Sequence, residues 1–304
     1  MASPQQDADT IRNAMKGFGC NEKPIIDICI HRTNAQRLEI AKAYKSKYER
    51  DLIADLKSEL HGKLEDGIVA LFTDPIEYDA DELRKAMKGL GTNEDTLIEI
   101  IASRPPEILR QIKEKFNQKF KRDLEADVKS ETSGTFRELL VSLLKCNRST
   151  NTMPDHAQCA AIANEIYKAG EAKLGTDESV FIKYFCTLSR NELAVVVKEY
   201  HKLAKNTILQ AIDNEFSGDS KKMLRTIVYA TLSVSEYFAT RVHDAVKGLG
   251  TRDHLLIRVL VSRSEIDMPQ IKQYYKQLYG KNMVEDIKND ISGDYRTLML
   301  GIIG

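Results

Sequence analysis

The chain has 304 residues, 42% of them hydrophobic and 30% charged, enough apolar material for a sizeable core beneath a soluble surface. Its 45 lysines and arginines balance its 45 aspartates and glutamates, so the formal net charge is zero. That balance argues against nucleic acid as the main partner and against a polybasic membrane anchor, since both leave a basic footprint. The opening residues, Met1 to Asp7, contain no apolar core, and no apolar run approaches the ~20 residues needed to span a bilayer. The cysteines (Cys20, Cys29, Cys146, Cys159, Cys186) are odd in number and lack CxxC pairs, which reads as reduced thiols rather than a disulfide frame or a zinc site. The expectation is a soluble, cytoplasmic protein.

In chain order, a short turn recurs: Met15-Lys16-Gly17-Phe18-Gly19, then Met87-Lys88-Gly89-Leu90-Gly91, then a degenerate Glu171-Ala172-Lys173-Leu174-Gly175, then Val246-Lys247-Gly248-Leu249-Gly250. Successive steps are 72, 84 and 75 residues, the signature of internal repeats. The longer middle step holds the polar stretch Cys146 to Pro154, which looks like a linker between halves. Forty-four residues after the first position of each turn stands an acid: Glu59, Glu131, Glu215 and Asp290. With acids at about 15% of the chain, four such hits by chance have odds of roughly one in two thousand.

Each repeat reads as about five helices, about twenty in all, and the fold class as all-α. One helix precedes the Gly-x-Gly turn and another follows it, as in Glu94 to Ser103. A third starts near Pro105-Pro106-Glu107, where proline suits a first turn. A fourth ends just before the acid. The fifth carries an apolar stripe at helical spacing, seen most fully in Phe136, Leu139, Leu140, Leu143 and Leu144. The segments expected are a head at 1–8, repeats at 9–75, 79–147, 156–232 and 233–304, and a linker at 148–155.

Glycine reaches backbone angles closed to other residues and leaves carbonyls uncovered, so a turn built on it can aim several oxygens at one point. Paired with a distant carboxylate, this is hard-cation chemistry, and calcium takes six to eight oxygens in a loosely shaped cage. Three carbonyls and a bidentate carboxylate fill five positions. Water or a lipid phosphate or carboxylate must fill the rest, which couples calcium affinity to membrane affinity. Taken singly, each Gly-x-Gly is equally a helix C-cap and each acid a helix cap. The middle residues of the turns, Phe18, Leu90, Leu174 and Leu249, either dip into a membrane interface or pack down on their own helices.

With these motifs in view, the chain resembles an annexin over almost its entire length. Gly89 to Arg104, Gly248 to Arg263 and Leu56 to Gly62 look like the family's signature repeat. The resemblance implies four five-helix repeats in a curved disc and calcium-dependent, reversible binding to acidic phospholipid such as phosphatidylserine, peripheral on the membrane when calcium rises. It implies Ca2+ ligands at the carbonyls of Met15, Gly17 and Gly19 with Glu59, and of Met87, Gly89 and Gly91 with Glu131. In the third repeat it implies Gly170, Lys173 and Gly175 with Glu215, and in the fourth Val246, Gly248 and Gly250 with Asp290. Asp79, Glu82, Glu99, Arg104 and Arg258 resemble the charged lining of the family's central channel, and the plainer reading is a structural ion-pair network.

Departures from the family pattern are specific. Cys20 stands in place of the usual threonine, and Pro24 falls in the helix behind it. Leu188 replaces the arginine found at Arg32, Arg104 and Arg263; if those arginines buttress the turns, the third is the least secure. Leu174 stands where some relatives carry tryptophan. Two rival functions remain, beside an ion-channel activity in lipid that would add to membrane binding and would need the charged central residues such as Glu82. An enzyme is disfavoured by six scattered histidines without HExxH and by turns that no strand precedes. A helical scaffold for protein partners would tolerate neutralisation of all four acids. Protein partners and self-association on a bilayer are left open by the sequence.

Overall fold

The computed structural model describes residues 3–17 and 19–304, and among these there are twenty helices and no strand. The first repeat contributes α1 (Pro4–Ala14), α2 (Glu22–His31), α3 (Asn34–Tyr48), α4 (Leu52–Glu59) and α5 (Gly62–Leu71). The second contributes α6 (Pro75–Ala86), α7 (Glu94–Ser103), α8 (Pro106–Phe120), α9 (Leu124–Glu131) and α10 (Gly134–Leu144). The third holds α11 (His156–Ala169), α12 (Glu178–Thr187), α13 (Arg190–Leu203), α14 (Ile208–Glu215) and α15 (Gly218–Leu232). The fourth holds α16 (Val234–Val246), α17 (Asp253–Arg263), α18 (Met268–Tyr279), α19 (Met283–Asp290) and α20 (Gly293–Ile303).

Local chemistry sets these boundaries. Ser3 caps α1 by accepting from the Gln6 amide while the Gln6 side chain accepts from the Ser3 amide, a reciprocal box that satisfies two otherwise free donors. Thr33 with Gln36, Ser189 with Glu192 and Thr207 with Gln210 repeat the device on α3, α13 and α14. Asp51 and Asp123 cap α4 and α9 through the amides of Ala54 and Ala126. The fourth helix of every repeat ends on its acid rather than before it, because the next residue (Leu60, Thr132, Phe216 or Ile291) turns to extended backbone.

The chain forms two compact units. One comprises residues 1–78 and 235–304, the other 79–234. In the first, α2 and α5 pack against α17 and α20; in the second, α7 and α10 pack against α12 and α15. The apolar stripe of each fifth helix supplies the centre: Leu139, Leu140, Leu143 and Leu144 are buried in α10, and Met223, Leu224, Ile227 and Val228 in α15. In the first unit α20 approaches α2 closely at Gly301, where a Cβ would lie 2.5 Å from Cγ2 of Ile30. The polar stretch at 148–155 joins the second and third repeats inside one unit, so it does not divide the halves. Arg148 binds it to α12 by donating to the carbonyls of Phe185 and Leu188, which lie at and just beyond the C-terminal end of that helix.

Candidate metal-binding loops

The turn after the first helix of each repeat has one construction. The amide just past the turn donates to the carbonyl just before it: Asn21 to Ala14 at 2.9 Å, Asn93 to Ala86 at 2.8 Å, Asp177 to Ala169 at 2.7 Å and Arg252 to Ala245 at 2.8 Å. The chain inside is forced through left-handed backbone, with φ of 109°, 113° and 101° at Gly17, Gly89 and Gly248. The second glycines, Gly19, Gly91, Gly175 and Gly250, lie at φ of 80–86°. An L side chain at these angles is strained, which is why glycine recurs here. Among the described residues no main-chain donor bonds to the carbonyls of Met87, Gly89, Gly91, Val246, Gly248 or Gly250. In the third repeat the Gly170 carbonyl accepts from the Lys173 amide at 3.1 Å.

Each distant acid is brought to its turn. The Thr251 hydroxyl donates to Oδ2 of Asp290 at 2.5 Å and lies 3.2 Å from that residue's carbonyl. Thr92 makes the same approach to Glu131, 3.3 Å from Oε2 and 3.4 Å from the carbonyl. Thr176 donates to Oε2 of Glu215, and a Cβ on Gly170 would lie 3.4 Å from that glutamate's Cγ. In the first repeat Cys20 takes the threonine's place; burial, reinforced by Glu22 and Glu59, pushes its thiol up to about 11. Pro24 sits in the first turn of α2 and does not interrupt it.

The position of the acids is electrostatically adverse. Each ends a helix, where unpaired carbonyls carry partial negative charge and a carboxylate costs about 0.3–1 kcal/mol. A cation held by those oxygens reverses the sign of that cost. Among the described residues no group of three or more His, Cys, Asp or Glu side chains is arranged to hold a metal, so any cation here relies on carbonyls with one carboxylate. That donor set is all oxygen and suits a hard ion such as calcium.

Sequence reasoning left one part of the site unread. Three residues after each acid stands a glycine at positive φ: Gly62 at 65°, Gly134 at 58°, Gly218 at 55° and Gly293 at 64°. This glycine opens the fifth helix and lets the chain leave the acid sharply. The acid-x-x-Gly spacing was the available signal. The arginines expected at the turns act elsewhere. Arg32 forks onto Asp7 at 2.7 and 3.1 Å, and Arg104 onto Asp79 at 2.7 and 2.9 Å, each joining the second helix of its repeat to the first. At the same spacing Arg263 lies over the Phe238 ring at 4.7 Å, and the third repeat carries Ala163 with Leu188. The third repeat builds its turn with a leucine at this position.

Leu90, Leu174 and Leu249 are fully exposed at the tips and do not pack onto their helices, while Phe18 lies outside the described residues. Beside the fourth turn a pocket of about 300 Å³ is lined by Lys247, Gly248, Lys281 and Asp290, with His243 stacked on Tyr279 at 3.7 Å. Of the charged residues likened to a channel lining, Asp79 and Arg104 form the buried pair just described and Glu82 meets Lys85 at 2.9 Å. Glu99 and Arg258 are buried with partners of their own. No helix among the described residues is long and apolar enough to cross a membrane.

Among the described residues, twenty helices in four repeats, each with a glycine turn facing a helix-terminal acid, define an all-α repeat protein. The annexin family model matches four segments of it, residues 6–71, 78–143, 162–227 and 237–302. The chain belongs to the annexin family, whose members are calcium-dependent phospholipid-binding proteins. It is 47% identical to annexin A4 of Homo sapiens over 98% of this chain and 94% of that one. Among solved structures it is similar to annexin III, with a TM-score of 0.97 and 40% identity over 100% of this chain and 94% of that one. It is also similar to calcium-bound annexin (Sm)1, with a TM-score of 0.88 and 32% identity over 99% and 90%.

Proposed function

We propose that this protein binds acidic phospholipid membranes reversibly and only when Ca2+ is held in its loops. The ligands are the carbonyls of Met15, Gly17 and Gly19 with Glu59, of Met87, Gly89 and Gly91 with Glu131, of Gly170, Lys173 and Gly175 with Glu215, and of Val246, Gly248 and Gly250 with Asp290. The observation that carries the reading is the meeting of each glycine turn with its acid, which threonine hydroxyls mark in the second, third and fourth repeats. Bound calcium supplies the positive charge that a chain of net charge zero otherwise lacks toward anionic lipid. With one carboxylate per loop, coordination is left incomplete for headgroup phosphate or carboxylate oxygens, and this couples the two affinities.

The rest of each loop suits that surface. Exposed leucines at Leu90, Leu174 and Leu249 offer apolar tips to the interface, and Lys16, Lys88 and Lys247 stand exposed beside the turns to meet headgroups. We infer a binding protein rather than an enzyme, cytoplasmic at rest and peripheral on the membrane in calcium. Of the residues likened to a channel lining, Asp79 and Arg104 neutralise one another in their buried fork and Glu82 meets Lys85, which supports the ion-pair reading for these three.

Sedimentation with phosphatidylserine vesicles, in calcium and in chelator, tests the reading. The comparison variant combines Glu59→Gln, Glu131→Gln, Glu215→Gln and Asp290→Asn. Calcium-dependent pelleting that the variant loses is the expected result. Pelleting indifferent to calcium and to the substitutions would leave a helical scaffold as the better description.

A further inference from the structure

Four turns in one chain provide a controlled comparison. A closing amide-to-carbonyl bond of 2.7–2.9 Å is present in all four, from Asn21, Asn93 and Arg252 to the residue seven before and from Asp177 to the residue eight before. The second glycine lies at φ of 80–86° in all four. Each acid ends the fourth helix of its repeat, and a positive-φ glycine follows it. The third turn departs in its backbone, with Lys173 in place of the first glycine; between the first turn and the second and fourth, the residue after the second glycine is what differs in chemical kind. It is Thr92, Thr176 and Thr251 in three repeats, each with its hydroxyl on the acid 39 residues downstream. In the first repeat it is Cys20, and among the described residues nothing donates a hydrogen bond to the Glu59 carboxylate.

We infer that this hydroxyl is a positioning residue for the calcium-binding carboxylate, and that Cys20 makes the first site weaker than the second, whose turn shares its glycine backbone. The inference rests on the calcium reading above. The hydroxyl touches the carboxylate and is not itself counted among the ligands. Its effect is to hold the carboxylate against the turn before an ion arrives, so that less rotamer freedom is lost on binding. Occupying one lone pair is compatible with ligation, because an ionised carboxylate has about four acceptor sites. A thiol cannot substitute: S–H is a weak donor, and sulfur is larger and more polarisable than oxygen. Hydrogen bonds to a ligating carboxylate from outside the ligand set are typically worth 10–100-fold in metal affinity.

The competing effect is that a hydrogen-bonded carboxylate is less free to swing toward an ion. At the second site, the one tested below, the distance decides against it. Thr92 lies 3.3 Å from Glu131, a contact loose enough to yield, while it keeps the carboxylate on the turn side of α9. Thr251 is tighter, at 2.5 Å, and bonds the shorter Asp290, which has one fewer methylene to order.

The test uses the full chain with three acids neutralised at a time. One background, Glu131→Gln with Glu215→Gln and Asp290→Asn, leaves the first site; the other, Glu59→Gln with Glu215→Gln and Asp290→Asn, leaves the second. Calcium affinity is measured by titration calorimetry with phosphatidylserine vesicles present. Adding Cys20→Thr to the first background should tighten calcium about tenfold, and adding Thr92→Val to the second should loosen it about tenfold. Thr92→Ser should stay within about twofold, since it keeps the hydroxyl and loses only a methyl group. Melting in chelator should move by no more than a degree or so in Thr92→Val, whereas a purely structural role would lower it. Calcium binding by both backgrounds that ignores Cys20→Thr and Thr92→Val would overturn the ranking alone. Failure of both backgrounds and of the unsubstituted chain to bind calcium would overturn the calcium reading and the ranking together.

Discussion

The second and third repeats share a unit and a helix order, yet almost everything around their turns differs. Where the second has the buried pair Asp79 and Arg104, the third has Ala163 and Leu188. Met87, buried under the second turn, becomes Glu171 in the third, which accepts from the Tyr200 hydroxyl and the Asn206 amide. Tyr200 itself replaces Phe116, and Ala211 replaces Asp127, the acid that holds Arg122 in the second repeat. The first loop glycine becomes Lys173, off the left-handed backbone that Gly89 occupies. Through all of this a threonine hydroxyl still reaches the acid, as Thr92 to Glu131 and Thr176 to Glu215. The lesson is that polar supports beneath a turn are interchangeable, while the juncture of turn and carboxylate is held.

The largest effect that would break this comparison lies in the buried fork. Asp79→Ala leaves the Arg104 guanidinium buried and unmatched and should cost about 3–5 kcal/mol, read as a lowered urea midpoint. Replacing both partners as the third repeat does, Asp79→Ala with Arg104→Leu, should recover most of that loss. A double variant as unstable as the single one would show that the third repeat depends on some other compensation.

Backbone comes next. Gly89→Ala places a Cβ at φ of 113° and should destabilise the second turn by about 1–2 kcal/mol while weakening calcium binding there. Lys173→Ala, at the matching position, should leave both nearly unchanged. Equal effects at the two positions would mean that the third turn follows the same path after all.

The smallest expected effect concerns the tether of Glu171. Tyr200→Phe gives the third repeat the second's side chain and removes a hydrogen bond to a carboxylate, about 1–2 kcal/mol at neutral pH. Burial, with Glu171 adding, holds the Tyr200 hydroxyl well above its ordinary value. A raised folded-state pKa means that this contribution is complete below about pH 10, where an unfolded tyrosine titrates, and fades as pH rises toward the folded value. Denaturation of Tyr200→Phe and of the parent chain should therefore differ at pH 7 and converge in strong alkali.

Much of this was legible in sequence because it is local and repeated. The apolar stripe gave the fifth helices, and the third helix of the second repeat begins at Pro106 as its prolines require. Glu94 to Ser103 is α7 to the residue. The pairing of turn with acid was legible because a fixed spacing survives translation along the chain. Other features escaped for physical reasons. The cap at Ser3 was written as Ser-x-x-Gln but lay outside any repeat that would draw attention to it. Arg32 and Arg104 recur at one offset, and their partners Asp7 and Asp79 recur with them, yet a spacing of 25 residues cannot say which side of the turn an arginine faces. The grouping of helices into two units was invisible, because it depends on contacts such as Arg37 with Glu265, 228 residues apart.

That last contact has a consequence for how the molecule comes into being. The first repeat buries α2 and α5 against α17 and α20, which are synthesised much later, and Gly301 must reach Ile30 before their shared core can close. On a ribosome adding about 5–20 residues per second, the earliest repeat to emerge waits longest for its partner, while residues 79–234 already hold all the helices of the second unit. Vectorial synthesis therefore favours completion of the inner unit first.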